Sequence, residues 1–326
     1  MKVLRLHGAG DLRLHEEPAP EPAKDELVVR VTAVGLCGSD RHWFLEGGIG
    51  DAVLDRPLVL GHEIVGTIES GARAGERVTL DPAVPCGRCN VCLAGDPHLC
   101  PELRFAGHGS TDGALRAFLA WPERLAYALP DGLSDPEASL LEPLGVALHA
   151  LDLAKTGTGA TAGVFGCGPL GLLLVQALRA AGVETIVASD PLQHRAAVAE
   201  SLGATLEHRE VDVAFDAAGD DAALADAMAA VRPGGRVVLV GIPEGDRTSF
   251  TASTARRKGL TLLLCRRMRP TDLPRAIRLV EAREVELGGF VSGRYALSEW
   301  MEAFDDLVER RGLKVVVDPQ RAREGP

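Results

Sequence analysis

The chain has 326 residues, 46% of them hydrophobic and 25% charged, the composition of a folded globular protein long enough for two domains. A net charge of −11 disfavours a nucleic-acid partner, and no apolar run approaches the roughly 18–20 residues that a membrane span needs, so neither partner is expected and the cytoplasm is the expected location. Seven cysteines, an odd number with one tight cluster, point to bound metal rather than to a disulfide framework.

In chain order, residues 2–6 and 12–15 read as short strands, and the proline-rich stretch 18–22 as a loop. Residues 27–34 are β-branched and expected to be buried on both faces, running into the turn Gly35-Leu36-Cys37-Gly38. Gly61-His62-Glu63 follows the apolar run 57–60, and residues 64–68 and 77–80 are further strands. The first 130 residues are therefore β-rich. Cys37, His62 and Glu63, with Glu142 downstream, supply thiolate, imidazole and carboxylate, a zinc ligand set expected to converge on one catalytic ion. Cys86, Cys89 and Cys92, spaced two residues apart, and Cys100 after seven more can wrap a second zinc. With all four positions filled by thiolates, that ion has no room for substrate and staples a lobe. Residues 136–150 are helical in pattern, with an interruption expected at Pro143, just after Glu142.

From about residue 160 the texture changes to strand, glycine-rich turn and helix. Residues 161–165 are a strand, Gly166-Cys167-Gly168-Pro169-Leu170-Gly171 matches the spaced glycines of a dinucleotide turn, and residues 172–181 are the helix. Pro169 falls in that helix's first turn, where its missing N–H does no harm. Residues 184–189 are the next strand, and Asp190 ends it 19 residues beyond Gly171. A carboxylate there accepts from ribose hydroxyls and repels a 2′-phosphate, which favours NAD. Arg195 keeps NADP open, although a charge on a helix face is its simpler reading. A helix over 191–202, a strand over 211–216, a helix over 221–231 and strands over 235–240 and 260–264 continue the alternation. Helices over 273–283 and 298–310 and a strand over 314–318 close the chain.

With these motifs in hand, the chain resembles the zinc-dependent medium-chain dehydrogenase/reductase family over almost its whole length, and most of all its polyol, sorbitol dehydrogenase-like branch. Gly35 to Asp40, Gly61 to Gly66, the four-cysteine lobe, Leu141-Glu142-Pro143-Leu144 with His149, and the cofactor glycines carry the resemblance. It implies an α/β fold: a GroES-like β-barrel catalytic domain over 1–145, an inserted doubly wound Rossmann domain over 146–269, and a return to the catalytic domain over 270–326, with the active site in the cleft. It implies that Cys37, His62 and Glu63 hold the catalytic zinc with one position open, and that Glu142 binds it directly, through water, or contacts substrate. Ser39 would accept the substrate proton, His42 would pass a proton towards solvent, and Asp40 would support a zinc ligand. Trp43, Arg294 and Tyr295 would contact substrate. The implied reaction is hydride transfer between a secondary alcohol of a polyol or sugar acid and NAD, and the implied assembly a homotetramer or homodimer.

The chain departs from the family's pattern in places. Gly75-Glu76-Arg77-Val78 replaces the usual Gly-Asp-Arg-Val, the loop 70–74 is shortened, and the stretch between Gly203 and Asp212 is too short for the usual strand and helix, so one Rossmann element is expected to be missing. Trp43 stands where sorbitol dehydrogenases often carry a tyrosine, which weakens the case for sorbitol itself. A threonine- or simple-alcohol-dehydrogenase activity, and a non-catalytic NAD(H)-binding redox sensor, are the alternatives. Cys167 and Cys265 have no assigned role.

Overall fold

A computed structural model of the chain describes residues 1–322. The chain divides into two compact units, Met1–Glu142 with Leu287–Pro326, and Pro143–Glu286, the last four residues lying outside the description.

The first unit is β-rich, as expected. Its largest sheet runs in the order Ala126–Ala128, Arg77–Leu80, Glu63–Ile68, Glu26–Gly35, Lys314–Asp318, Val291–Ala296, with Phe118–Pro122 also pairing with Glu26–Gly35. A smaller sheet holds Asp11–Glu16, Lys2–Gly8 and Leu58–Val59. Glu26–Gly35 is the hub, and its burial corrects the expectation of two covered faces. Buried and half-buried residues alternate along it until Ala33, after which every residue is buried. Antiparallel strands commonly have only one face on a core. Val29, Val31, Ile64, Leu80 and Phe304 share the apolar core beneath it. The pairing of Val316 with Gly35 and of Val317 with Val34 lays the end of the chain beside its first 35 residues.

The region expected to be one helix broken at Pro143 is two helices. Asp135–Ala138 is short and capped by Ser134, whose side chain bonds with Glu137. Leu141–Ala154 then runs through Pro143 without a break. The proline sits in the first turn, where its N–H would have had no partner. Glu142 occupies the same turn, where a carboxylate suits the positive end of the helix.

The second unit is a doubly wound α/β layer. Its five parallel strands run in the order Thr185–Ser189, Thr161–Phe165, Val211–Asp216, Val231–Leu239, Thr261–Leu264. The shortfall read between Gly203 and Asp212 is present. After helix Gln193–Ser201 the chain forms only an isolated bridge from Thr205 to Val187 before Val211. The return to the first unit falls at Leu287, not at residue 270. Helix Asp272–Glu281 stays with the second unit because Arg275 pairs with Asp152, and Gln176 exchanges two hydrogen bonds of 2.8 Å with the backbone of Glu286. Among the described residues no helix is long and apolar enough to cross a membrane.

Candidate active site and metal centres

The site is assembled where Glu26–Gly35 ends. The chain leaves that strand through Leu36, and Cys37 becomes the N-terminal cap of helix Gly38–Glu46. Asp40, fully buried, ties two turns together: one oxygen accepts from the Cys37 backbone N–H (2.9 Å), the other from Gly61 N–H (3.1 Å). Gly61 has φ +94°, and a Cβ there would strike Val34 at 2.7 Å, so only glycine fits the turn that delivers His62. His62 Nδ1 lies 3.7 Å from Asp40, and Nε2 lies 3.4 Å from Ser39 Oγ. The carboxylate beside the imidazole orients the ring and leaves its other nitrogen for a ligand. One ligand atom each from Cys37, His62 and Glu63 lies within 4.8 Å of the others.

The electrostatics of this cluster call for a cation. Burial opposes protonation of His62, but the charges of Asp40 and Cys37 and the hydrogen bond to Cys37, with a smaller contribution from Glu142, overcome it and raise the imidazole to about 10. A metal ion would take the place of that proton. Glu142 is also buried: burial, and then Glu63, push its carboxyl up to about 7 against the opposing charge of His62. Its charge reaches the cluster, but its carboxylate is not among the atoms that lie within 4.8 Å.

Lys314 was not anticipated from the sequence. Its buried ammonium donates to both Glu63 oxygens, at 2.6 and 2.8 Å, and to the Leu36 carbonyl at 3.1 Å. Burial opposes the charge on Lys314, but the charge and hydrogen bonds of Glu63, together with Cys37 and Glu142, outweigh it and raise the Lys314 pKa. The available signal was a lone lysine opening the apolar run Lys314–Asp318. His42 is buried and shares a 2.6 Å hydrogen bond with Glu46, a side chain that reaches solvent.

The three residues expected to contact substrate are placed otherwise. Trp43 is 1% exposed and sits in the apolar core, edge-on to His108 with ring centroids 5.4 Å apart, so it presents no surface. Arg294 is held by Asp318 at 2.6 Å, and the Tyr295 hydroxyl donates to Asp306. Neither bonds to the cluster. Their strand pairs with Lys314–Asp318 and not with Glu26–Gly35, so the closing strand lies between them and the strand that leads to Cys37.

Cys86, Cys89, Cys92 and Cys100 also converge within 4.8 Å, with the sulfurs of Cys89 and Cys100 3.9 Å apart. Backbone N–H groups of Arg88 and Cys89 draw the Cys86 thiol down to about 7, whereas desolvation and Cys89 push Cys92 up to about 12. Sulfurs this crowded ionise together only around a cation, and zinc fits the set.

In the second unit, Gly168 caps helix Pro169–Ala180, with Pro169 and Leu170 in its first turn. A Cβ on Gly171 would stand 1.9 Å from the Gly166 carbonyl, so the helix packs on the turn only with glycine there. Asp190 accepts from Cys167 N–H at 2.7 Å and from Leu192 N–H at 2.8 Å, which holds its carboxylate at the rim of the turn. Arg195 is not simply a surface charge. Its Nη1 lies 3.5 Å from where a Cβ on Gly168 would stand, so the guanidinium covers the turn.

Comparison with known proteins agrees with this geometry. Residues 23–131 match the family model described as alcohol dehydrogenase GroES-like domain, and residues 169–282 the one described as zinc-binding dehydrogenase. The chain is 33% identical to the sorbitol dehydrogenase of Bacillus subtilis over 98% of each chain. It is 31% identical to a probable D-xylulose reductase A of Emericella nidulans, over 96% of this chain and 94% of that one. The crystal structure of galactitol-1-phosphate dehydrogenase from Escherichia coli matches 98% of this chain and 100% of its own, with TM-score 0.88 at 25% identity.

Proposed function

The chain belongs to the zinc-dependent medium-chain dehydrogenase/reductase family, and from that premise we propose that it transfers hydride between a secondary alcohol of a polyol or sugar acid and NAD. The observation that carries this reading is the convergence of Cys37, His62 and Glu63, with Ser39 against the His62 imidazole. Cys37, His62 and Glu63 would hold the catalytic zinc. Bound there, it would supply Lewis acidity to the substrate hydroxyl, and NAD held at the glycine turn would supply the hydride acceptor. Ser39 takes the hydroxyl proton, and His42 passes a proton towards solvent through Glu46. Lys314 balances the charge of Glu63, whose oxygens each keep a lone pair for the metal. Glu142, with its raised pKa, is the second carboxylate available to metal or substrate. Cys86, Cys89, Cys92 and Cys100 would hold the structural zinc. The relatives that act on sorbitol and xylulose, going by their names, support the substrate class. Trp43, Arg294 and Tyr295 have no part in this reading.

The deciding experiment is a spectrophotometric screen of NAD reduction with C4 to C6 polyols, sugar acids and simple alcohols, on protein whose zinc content has been measured. Turnover is expected with a vicinal diol. Zinc-replete protein that binds NADH and turns over nothing in the panel would favour the redox-sensor reading instead.

The glycine turn, with Gly166, Gly168, Pro169, Leu170 and Gly171, would receive the pyrophosphate, with Arg195 above it and Asp190 on the adenosine ribose. Asp190→Asn keeps the side chain's size and removes its charge. The ratio of kcat/KM for NAD over NADP is expected to fall at least about tenfold, the order of effect of relieving one unfavourable polar contact. An unchanged ratio in steady-state kinetics would remove Asp190 from cofactor selection.

For the assembly, the edge strand Thr261–Leu264 is the indicated surface. Among the described residues it is hydrogen-bonded on one side only; it carries no charge and leaves Leu264 78% exposed. An unguarded apolar edge favours pairing with a second copy about a two-fold axis. Light scattering is expected to show a dimer or tetramer for the parent and a smaller species for Leu264→Lys; a monomeric parent would refute the pairing. The cytoplasm is the location we assign, since thiols set for zinc stay reduced there.

A further inference from the structure

Helix Leu141–Ala154 has a second task beyond carrying Glu142. Gly145 and His149 lie four residues apart on one of its faces, and both meet the segment 265–269 that follows strand Thr261–Leu264. His149, 2% exposed, donates from Nδ1 to the Arg267 carbonyl at 2.7 Å; because a carbonyl only accepts, this nitrogen carries the proton. Cys265 Sγ lies 3.7 Å from the same nitrogen. A Cβ on Gly145 would stand 2.6 Å from Met268 Sδ, so the missing side chain makes room for Met268. Asp272 accepts from Arg269 N–H at 2.7 Å. Between these anchors Arg267 adopts φ +58°, a left-handed conformation that non-glycine residues take up only when their surroundings hold them there.

The sheet register shows what this bend faces. Phe165 is level with Asp216, Asp216 with Leu239, and Leu239 with Leu264, so the segment leaves the sheet at the same carboxyl edge as the glycine turn. Ligands of doubly wound sheets bind at that edge. Asp190 ends the strand on one side of Thr161–Phe165, which puts the adenosine half of a dinucleotide there. The other half then extends the opposite way, over the strands that finish with Thr261–Leu264.

We propose that His149 is a positioning residue for the nicotinamide half of the cofactor: by holding the Arg267 carbonyl it sets the bend that presents residues 265–269 to that half. The proposal rests on the dinucleotide reading of the glycine turn and asks nothing of the zinc or of the substrate. It is tested by binding, with NADH and ADP-ribose titrated calorimetrically against the zinc-loaded protein. ADP-ribose has the adenosine, pyrophosphate and second ribose but no nicotinamide. His149→Phe keeps an aromatic ring and removes the donor. It is expected to weaken NADH about tenfold and ADP-ribose less than twofold, and His149→Asn, whose amide N–H can reach the same carbonyl, is expected to restore most of the NADH affinity. Glycine adopts positive φ unaided, so adding Arg267→Gly to His149→Phe is also expected to recover NADH binding. If His149→Phe is insoluble, the same comparison is read from His149→Leu. Equal weakening of both ligands, or of neither, overturns the positioning role alone. Failure of the parent to bind either ligand overturns the dinucleotide reading and this role with it.

Discussion

Cys37→Ser is expected to lose about a thousandfold in kcat/KM, equivalent to several kcal/mol of transition-state stabilisation, while binding NADH as the parent does. The thiolate is the one soft ligand in a cluster whose other donors are an imidazole and a carboxylate. The two turns that carry these donors are joined through Asp40, which bonds to the backbone N–H of Cys37 and not to its sulfur. The substitution therefore leaves the turns in place and changes only what they offer to a metal. Zinc analysis is expected to show one ion lost per chain and one kept, because the four-cysteine lobe is a separate cluster. Unimpaired turnover would exclude Cys37 from the active site. Loss of NADH binding together with turnover would show that the variant damages the fold and not the metal site.

Lys314→Met is expected to destabilise the protein by about 3–5 kcal/mol, the usual cost of leaving one member of a buried ion pair alone. The Lys314 and Glu63 side chains are 2% and 0% exposed, so water cannot replace the lost partner. Glu63 would then lose the two hydrogen bonds that Lys314 donates to its oxygens. Adding Glu63→Gln removes the stranded charge, and the double variant is expected to regain most of the loss in urea denaturation of metal-free protein. The ion pair is a contact between two protein side chains, so the comparison is made on protein stripped of zinc. Additive single-variant effects would mean that the two groups do not act as a pair.

This pair also shows how far the sequence reaches. The Cys37, His62 and Glu63 motifs, the cysteine lobe and the glycine turn with Asp190 were legible because each is a short-range device. A turn, a cap and a ligand spacing are specified within a few residues, and glycine or cysteine has few substitutes there. The missing Rossmann element was legible as well, since chain length limits how many elements fit between Gly203 and Asp212. Lys314 was not legible as a partner of Glu63. Its place depends on the closing strand pairing beside Gly35, a contact across 251 residues of chain. Arg294 and Tyr295 show the same limit: a match to a family pair in sequence does not say which strand will stand between a side chain and the metal cluster. Pro143 misled locally, because whether a proline breaks a helix or begins one depends on where the first turn falls.

The sequence by itself determined the chemistry available, namely two sets of candidate metal donors, a glycine turn of dinucleotide-binding type and a carboxylate beside that turn. It also determined the alternation that makes one part of the chain β-rich and the other doubly wound. Only the tertiary structure decided which charges neutralise one another, which aromatic and basic residues are spent in the core or on ion pairs, and that His149 reaches across 118 residues to the Arg267 carbonyl. Periodicity and spacing act over a few residues and are written in order along the chain. The environment of a buried charge is made by strands and loops that are distant in sequence and meet only when the core closes.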